Sequence, residues 1–260
     1  SLRASEATPL VADGLMYIAS PYNRVVALDP VTGKEVWVYV MTGGAPSLRG
    51  LEYFAGDATT PPQILVGSSD AKLYSLDAKT GKQLWTYNRV ANGVANIPTP
   101  IADGNFVFAS TSYKTGAALV ELKRDGDAIV AEEKYFLEGQ TFNNHHGGMI
   151  LHEGHIFAGH QQNEGFPTCV NLKSGEIVWG GRLRGPGSGS AAILFIDGHL
   201  IFRYQNGVVA LIEANSAEYR LKGSFKPDYQ EGASWAHPVV VNGHLYLREQ
   251  NKLMCYQVGP

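Results

Sequence analysis

Charge is scarce in this chain. Asp, Glu, Lys and Arg supply 17% of its 260 residues, below the roughly 25% of an average soluble domain. The 21 basic and 24 acidic side chains nearly cancel to a net charge of -3, so no electrostatic case arises for nucleic acid or an acidic membrane as partner. No apolar run of about 18 residues occurs, so no segment reads as a membrane-spanning helix. Ser1 to Glu6 lacks both the basic and the apolar region of a signal peptide, and the chain reads as soluble, already processed or excised.

Cysteine is nearly absent. Cys169 and Cys255 are the two in the sequence, with no C-x-x-C, and two thiols cannot make a zinc site alone. Both lie in apolar runs, TCVNL and LMCYQV, and are expected to be buried free thiols, since unpaired Cys is among the most buried residue types. A sustained 3.6-residue apolar period is also missing, which argues against a helical solenoid.

What the chain does hold is turns and repeats. The 30 Gly and 13 Tyr residues suit many short strands joined by tight turns, an all-β composition. LDPVTGKEVW (28–37) returns as LDAKTGKQLW (76–85). A hairpin signal also recurs, an apolar strand, then Asp, Glu or Asn with Gly, then a second apolar strand: PLVADGLMYIA, PIADGNFVFAS, MILHEGHIFAG, ILFIDGHLIFR and VVVNGHLYLR. Gly14, Gly104, Gly154, Gly198 and Gly243 are the turn glycines, because Gly accepts positive φ at no steric cost. A third strand follows each hairpin, and most units add a fourth. The unit between residues 49 and 87 replaces the tight hairpin with a longer loop, AGDATTPP.

Six units result, beginning near Thr8, Arg49, Pro98, Gly148, Ala191 and Pro238, the last without a visible fourth strand. Units of about 40 residues with four strands are the signature of propeller blades. The expected fold is one all-β propeller domain over residues 1–260, six-bladed or part of a seven- or eight-bladed ring. Closure at six requires Leu2 to Ala7 to supply the last blade's outer strand. An immunoglobulin-like sandwich is the weaker rival, since it does not explain Thr-Gly and Trp at matching places.

Within the repeat, Asp29 and Asp77 are read as Asx-turn residues, with Gly33 and Gly81 in the left-handed conformation that ends the turn. Ser174-Gly175 and Asp125-Gly126 stand at that place in two other units. Trp37, Trp85 and Trp179 each lie four residues past their glycine and are read as wedges between blades, each indole N–H needing a partner.

The segments VVALDPVTGKEVW, KLYSLDAKTGKQLW and CVNLKSGEIVW resemble the repeats of quinoprotein dehydrogenase-like β-propellers, the pyrroloquinoline-quinone type. The likeness covers nearly the whole chain and is strongest over residues 8–87. It implies a periplasmic or secreted location and, as cofactor, pyrroloquinoline quinone with Ca²⁺. The chain departs from the dehydrogenases at MTGGAPSL (41–48), where those enzymes often carry adjacent cysteines, and no residue matches their calcium ligands or catalytic Asp.

Candidate sites are sought where the repeats differ, on loops before first strands and between second and third strands. The densest polar cluster joins Asn143, Asn144, His145 and His146 to the loop from His160 to Glu164. A metal reading rests on His as the commonest ligand, and hydrogen-bonded loop residues are the plainer reading. Arg203 and Arg248 share a repeat position and either hold an anionic ligand or pair with Glu249 or Glu164. Trp235 and His237 are their candidate neighbours. His155, His199 and His244 follow hairpin glycines in three separate units and are turn residues. The glycine run at 185–190 precedes a strand, not a helix, so it is a close-packed connection rather than a phosphate cradle. The leading expectation is a binding or scaffold module meeting a small molecule or protein at the propeller face. The rival is a quinone-dependent alcohol or sugar dehydrogenase.

Overall fold

The computed structural model describes residues 7–47, 50–70 and 72–259, and among them no helix occurs. Six antiparallel sheets follow one another along the chain, each a meander in which sequence neighbours pair. The first is β1 (Leu10–Ala12), β2 (Leu15–Ser20), β3 (Arg24–Leu28) and β4 (Glu35–Val40). The second is β5 (Glu52–Phe54), β6 (Gln63–Gly67), β7 (Leu73–Asp77) and β8 (Gln83–Tyr87), and the third β9 (Ile101–Asp103), β10 (Phe106–Thr111), β11 (Gly116–Asp125) and β12 (Ala128–Glu138). The fourth is β13 (Ile150–His152), β14 (His155–His160), β15 (Phe166–Asn171) and β16 (Ile177–Trp179). β17 (Ala191–Ile196), β18 (His199–Tyr204), β19 (Val209–Glu213) and β20 (Leu221–Phe225) form the fifth. β21 (Val239–Val241), β22 (His244–Glu249) and β23 (Lys252–Gln257) form the sixth, with three strands. Six separate meanders exclude the two-sheet sandwich. Residues Leu2 to Glu6, expected as a closing strand, and Arg49, expected to open the second unit, lie outside the described residues.

The chain divides into two compact units, residues up to Leu137 and residues from Glu138. In the first, Tyr17, Val25 and Ala27 of the first sheet pack with Ile64, Val66 and Leu76 of the second. Leu65 and Leu73 pack in turn with Val107, Ala118 and Val120 of the third. In the other unit, Phe157 and Cys169 pack with Phe202, Ala210 and Ile212, and Ile201 and Val209 pack with Leu245 and Leu247. Both faces of the second and fifth sheets are thus apolar, which explains the near-continuous hydrophobic run of HLIFR.

Local chemistry sets the turns. Asp13, Glu153, Asp197 and Asn242 have φ of 46–49° and each precedes a glycine at 70–78°, two successive positive φ values as a type I′ hairpin requires. The third sheet differs, since Phe106 pairs with Asp103 and the loop is Gly104-Asn105, one residue later. In the repeated Asx turn, Asp29 Oδ1 accepts Val31 N–H at 3.0 Å and Thr32 N–H at 2.7 Å. Asp77 does the same for Lys79 and Thr80 at 3.0 and 2.8 Å, and Asn171 for Lys173 and Ser174, both at 3.0 Å. His155, His199 and His244 each place Nδ1 2.7–2.8 Å from the carbonyl two residues back, the turn role read for them.

The tryptophans bond as follows. Trp37 Nε1 donates to Ala78 O of the next sheet at 2.9 Å, and Trp179 Nε1 to Asn215 O of the next sheet at 3.0 Å. Trp85 differs, donating to Gln63 Oε1 of its own sheet at 2.8 Å while packing in the cluster shared with the third sheet. The two cysteines also separate. Cys169 is buried and free, whereas Cys255 is exposed, correcting the expectation of two buried thiols. Among the described residues β23 pairs with β22 alone, and Cys255 lies on its exposed side between the half-buried Met254 and Tyr256.

Candidate functional site

In the unit from Glu138 onward, the loop before β13 meets the β14–β15 loop and the connections leading into β17 and β21. The Asn143 N–H donates to His160 Nδ1 at 3.1 Å, and its side-chain amide to Gly139 O at 2.6 Å. Asn144 forms an antiparallel bridge with His160 and donates from Nδ2 to Gly159 O at 3.1 Å. Both asparagines and His160 are buried. His160 stacks on Phe142 with ring centroids 5.6 Å apart, and burial holds its pKa below the usual imidazole value. With Nδ1 accepting a hydrogen bond, the neutral ring carries its proton on Nε2.

His145 places Nδ1 2.8 Å from Ser190 Oγ, and burial lowers its pKa too. Its ring lies 3.8 Å from that of His146, and His146 meets Trp235 edge-on at 4.9 Å. Trp235 is 41% exposed, so the aromatic group reaches the surface. His237 sits against Gly148, where a Cβ would come within 3.1 Å of His237 Cε1. The fold therefore gathers Asn143, Asn144, His145, His146, His160, Trp235 and His237, and adds Ser190, which sequence reasoning missed. Its only signal was its place as the last residue before an inner strand.

Glu164 closes the β14–β15 turn through its backbone, and Arg248 bonds within its own loop. The Glu164 N–H donates to Gln161 O at 3.3 Å, and exposed Arg248 donates from Nε to Gln250 O at 3.2 Å. Arg203 is buried and donates to Glu249 Oε2 at 2.8 Å and to Ala236 O at 3.1 Å. Of the alternatives for Arg203, the structure chooses the pair with Glu249. Glu249 also accepts from Ser234 Oγ at 2.5 Å and from the Gly232 N–H at 3.2 Å. Burial pushes its carboxyl up, but these donors and the guanidinium outweigh burial and hold it below the usual value. This buried network pins the 231–236 loop to β18 and β22.

The glycine run packs on Tyr204: a Cβ at Gly185 would fall 2.0 Å from the Tyr204 hydroxyl and one at Gly187 2.3 Å from its ring. That is the close-packed connection expected.

In the other unit, sequence reasoning passed over Glu52 on β5. Burial raises its pKa to about 7, despite a bond from the Ala102 backbone N–H that favours the charged form. Nothing in RGLEYF distinguishes this carboxyl from a solvated one.

A tricarboxylated quinone with Ca²⁺ needs free cations and converging oxygen ligands. Arg203 is committed to Glu249, Arg248 bonds away from it, and no three His, Cys, Asp or Glu side chains stand together as metal ligands among the described residues. The residues named for the cofactor do not fit it.

Residues 1–120 match the family model described as glucose/ethanol/alcohol dehydrogenase, beta-propeller domain. Over 95% of its length the chain is 24% identical to the outer membrane protein assembly factor BamB of Moranella endobia, of which it covers 63%. It is 33% identical over 210 residues to the quinoprotein alcohol dehydrogenase PedH of Pseudomonas putida, covering 79% of this chain and 27% of that one. The chain thus spans less than two thirds of these curated relatives. Among solved structures, BamB from Moraxella catarrhalis superposes with a TM-score of 0.65 at 18% identity, over 96% of this chain and 71% of that one. Quinohemoprotein alcohol dehydrogenase from Comamonas testosteroni gives 0.63 at 16%, over 97% and 52%. At these identities the structures speak for the fold alone. Repeat, sheets and matches agree on a β-propeller of pyrroloquinoline-quinone-type repeats, similar to those of the quinoprotein dehydrogenases and of BamB.

Proposed function

We propose that this propeller is a binding or scaffold module of the periplasm or cell exterior, engaging a protein through the surface around Trp235, His146 and His237. The observation that carries this reading is how the polar groups there are spent. Asn143, Asn144, His160, Arg203, Ser234 and Glu249 hold loops in place, while Trp235 stays 41% exposed. A loop set fixed internally and showing an aromatic suits recognition, since rigid aromatic anchors dominate binding energy. The likeness to an outer membrane protein assembly factor along 95% of the chain supports a protein partner and an envelope location.

The second reading is a quinone-dependent dehydrogenase, favoured by the family match over residues 1–120. Titrating the protein with pyrroloquinoline quinone and Ca²⁺, then following dye reduction with alcohols and aldoses, separates the two. Neither a quinone spectrum nor substrate-dependent reduction is expected, and either would favour the enzyme. A photo-crosslinking residue at Trp235, in cells exporting the protein, is expected to trap a discrete partner that the same residue at Val31, 91% exposed in the other unit, does not. Equal trapping at both would overturn the assignment of the surface.

A further inference from the structure

The repeat tryptophan is absent from the third and fifth sheets and from the described strands of the sixth, and beside the fifth a cleft stands. Trp37, Trp85 and Trp179 pair with Ala27, Ser75 and Cys169, each immediately before the register shift between third and fourth strands. In the fifth sheet the shift falls between Leu211 and Ile212, and the residue paired with Leu211 is Gly223. A Cβ at Gly223 would meet nothing within 4 Å. All five residues of β20 are exposed, whereas Trp37 and Trp85 are buried.

Beside Gly223 opens a cleft of about 730 Å³ between the fifth and sixth sheets, lined by Ile201, Leu211, Phe225, Val240, Leu245 and Val258. That volume lies in the usual range for small-molecule sites, and the wall is apolar as in such sites. Val258 holds the position of Ala78. Its N–H donates to the hairpin carbonyl of Gly243 at 2.8 Å, as Ala78 donates to Pro62 O at 2.9 Å and Ala214 to Gly198 O at 2.9 Å. The Ala78 carbonyl is the acceptor of Trp37 Nε1. The cleft therefore repeats an indole seat: an apolar slot between two sheets, with a backbone carbonyl at the matching place and glycine where the indole would be rooted.

We propose that this cleft is a binding site for an indole or an aromatic ring of similar size carrying one N–H or O–H donor, supplied from outside the chain's own repeats. The same ring chemistry arrives either as a free small molecule or as a Trp side chain on a partner segment. The site is separate from the Trp235 surface and does not depend on it.

The test is ¹H–¹⁵N NMR of the whole chain with millimolar indole, 1-methylindole and N-acetyltryptophanamide as probes. Indole is expected to shift the Gly223, Gly243 and Val258 amides, and 1-methylindole, lacking the donor, to bind several-fold more weakly. Shifts with N-acetyltryptophanamide as well assign a peptide-borne side chain, and shifts with indole alone a free ring. Gly223→Trp should supply the ring internally, abolish the indole shifts and raise Tm by about 2–4 °C, the change expected per kcal/mol at this size. If that variant does not fold, Leu211→Trp blocks the same cleft from β19. Absence of shifts with all three probes, or shifts that persist unchanged in a folded blocking variant, would overturn the proposal.

Discussion

Trp37 lies so close to Gly81 that a Cβ on the glycine would come within 2.6 Å of the indole Cε3. The first sheet is thus joined to the second through the motif itself, the turn glycine of the second receiving the tryptophan of the first. Gly33 has the same φ, 70° against 71°, but a Cβ there would meet nothing within 4 Å. Gly33→Ala should cost about 1 kcal/mol, the price of a left-handed backbone for an L residue. Gly81→Ala should cost that plus about 1–3 kcal/mol of overpacking. Urea denaturation of the two variants gives the difference, and equal losses would show that the contact adds nothing.

The buried pair of Arg203 and Glu249 should be stabilising only as a whole. Removing one partner leaves an uncompensated buried charge, a loss of about 3–5 kcal/mol. Glu249→Ala and Arg203→Ala are both expected in that range, and the double variant should lose less than the sum of the two. A strictly additive thermal-denaturation cycle would refute the coupling.

Glu52 sets a pH dependence. Its folded pKa of about 7 lies above the unfolded 4.5, so folding retains a proton that the unfolded chain releases between those values. Its contribution is complete below about pH 4.5 and is lost as pH rises toward 7 and beyond, a change on the order of 3 kcal/mol. Glu52→Gln keeps the neutral form at every pH. The stability difference between variant and parent should therefore move in the variant's favour from pH 4.5 to 8, and a flat difference would place the titration elsewhere.

Thiol reactivity should divide the cysteines. Cys255 is exposed, whereas Cys169 is buried and its thiol is pushed up to about 12 by burial. Since the thiolate is the nucleophile, a disulfide reagent at pH 8 should label Cys255 rapidly and Cys169 only on unfolding. Two fast equivalents per native chain would contradict the packing around Cys169.

Much of the fold was legible because it is local. An Asp or Asn bonding N–H groups two and three residues ahead, and a glycine closing a two-residue hairpin, need no distant partner, so the sheets could be counted from the turns. The candidate site was legible only as loops. That His145 meets Ser190 and His146 meets Trp235 depends on segments 45 and 89 residues apart in number being brought together. No spacing rule reports such contacts.

By itself the sequence determined the repeat, the sheet order and the turn chemistry of Asp29, Asp77 and Asn171, since each is closed by hydrogen bonds within a few residues. Only the tertiary structure decided that Arg203 pairs with Glu249, that Cys255 faces solvent while Cys169 does not, and that Gly223 opens a cleft rather than merely ending a motif. Those outcomes depend on which side chains pack across neighbouring sheets. Burial, charge pairing and empty volume are properties of that packing, not of any one segment.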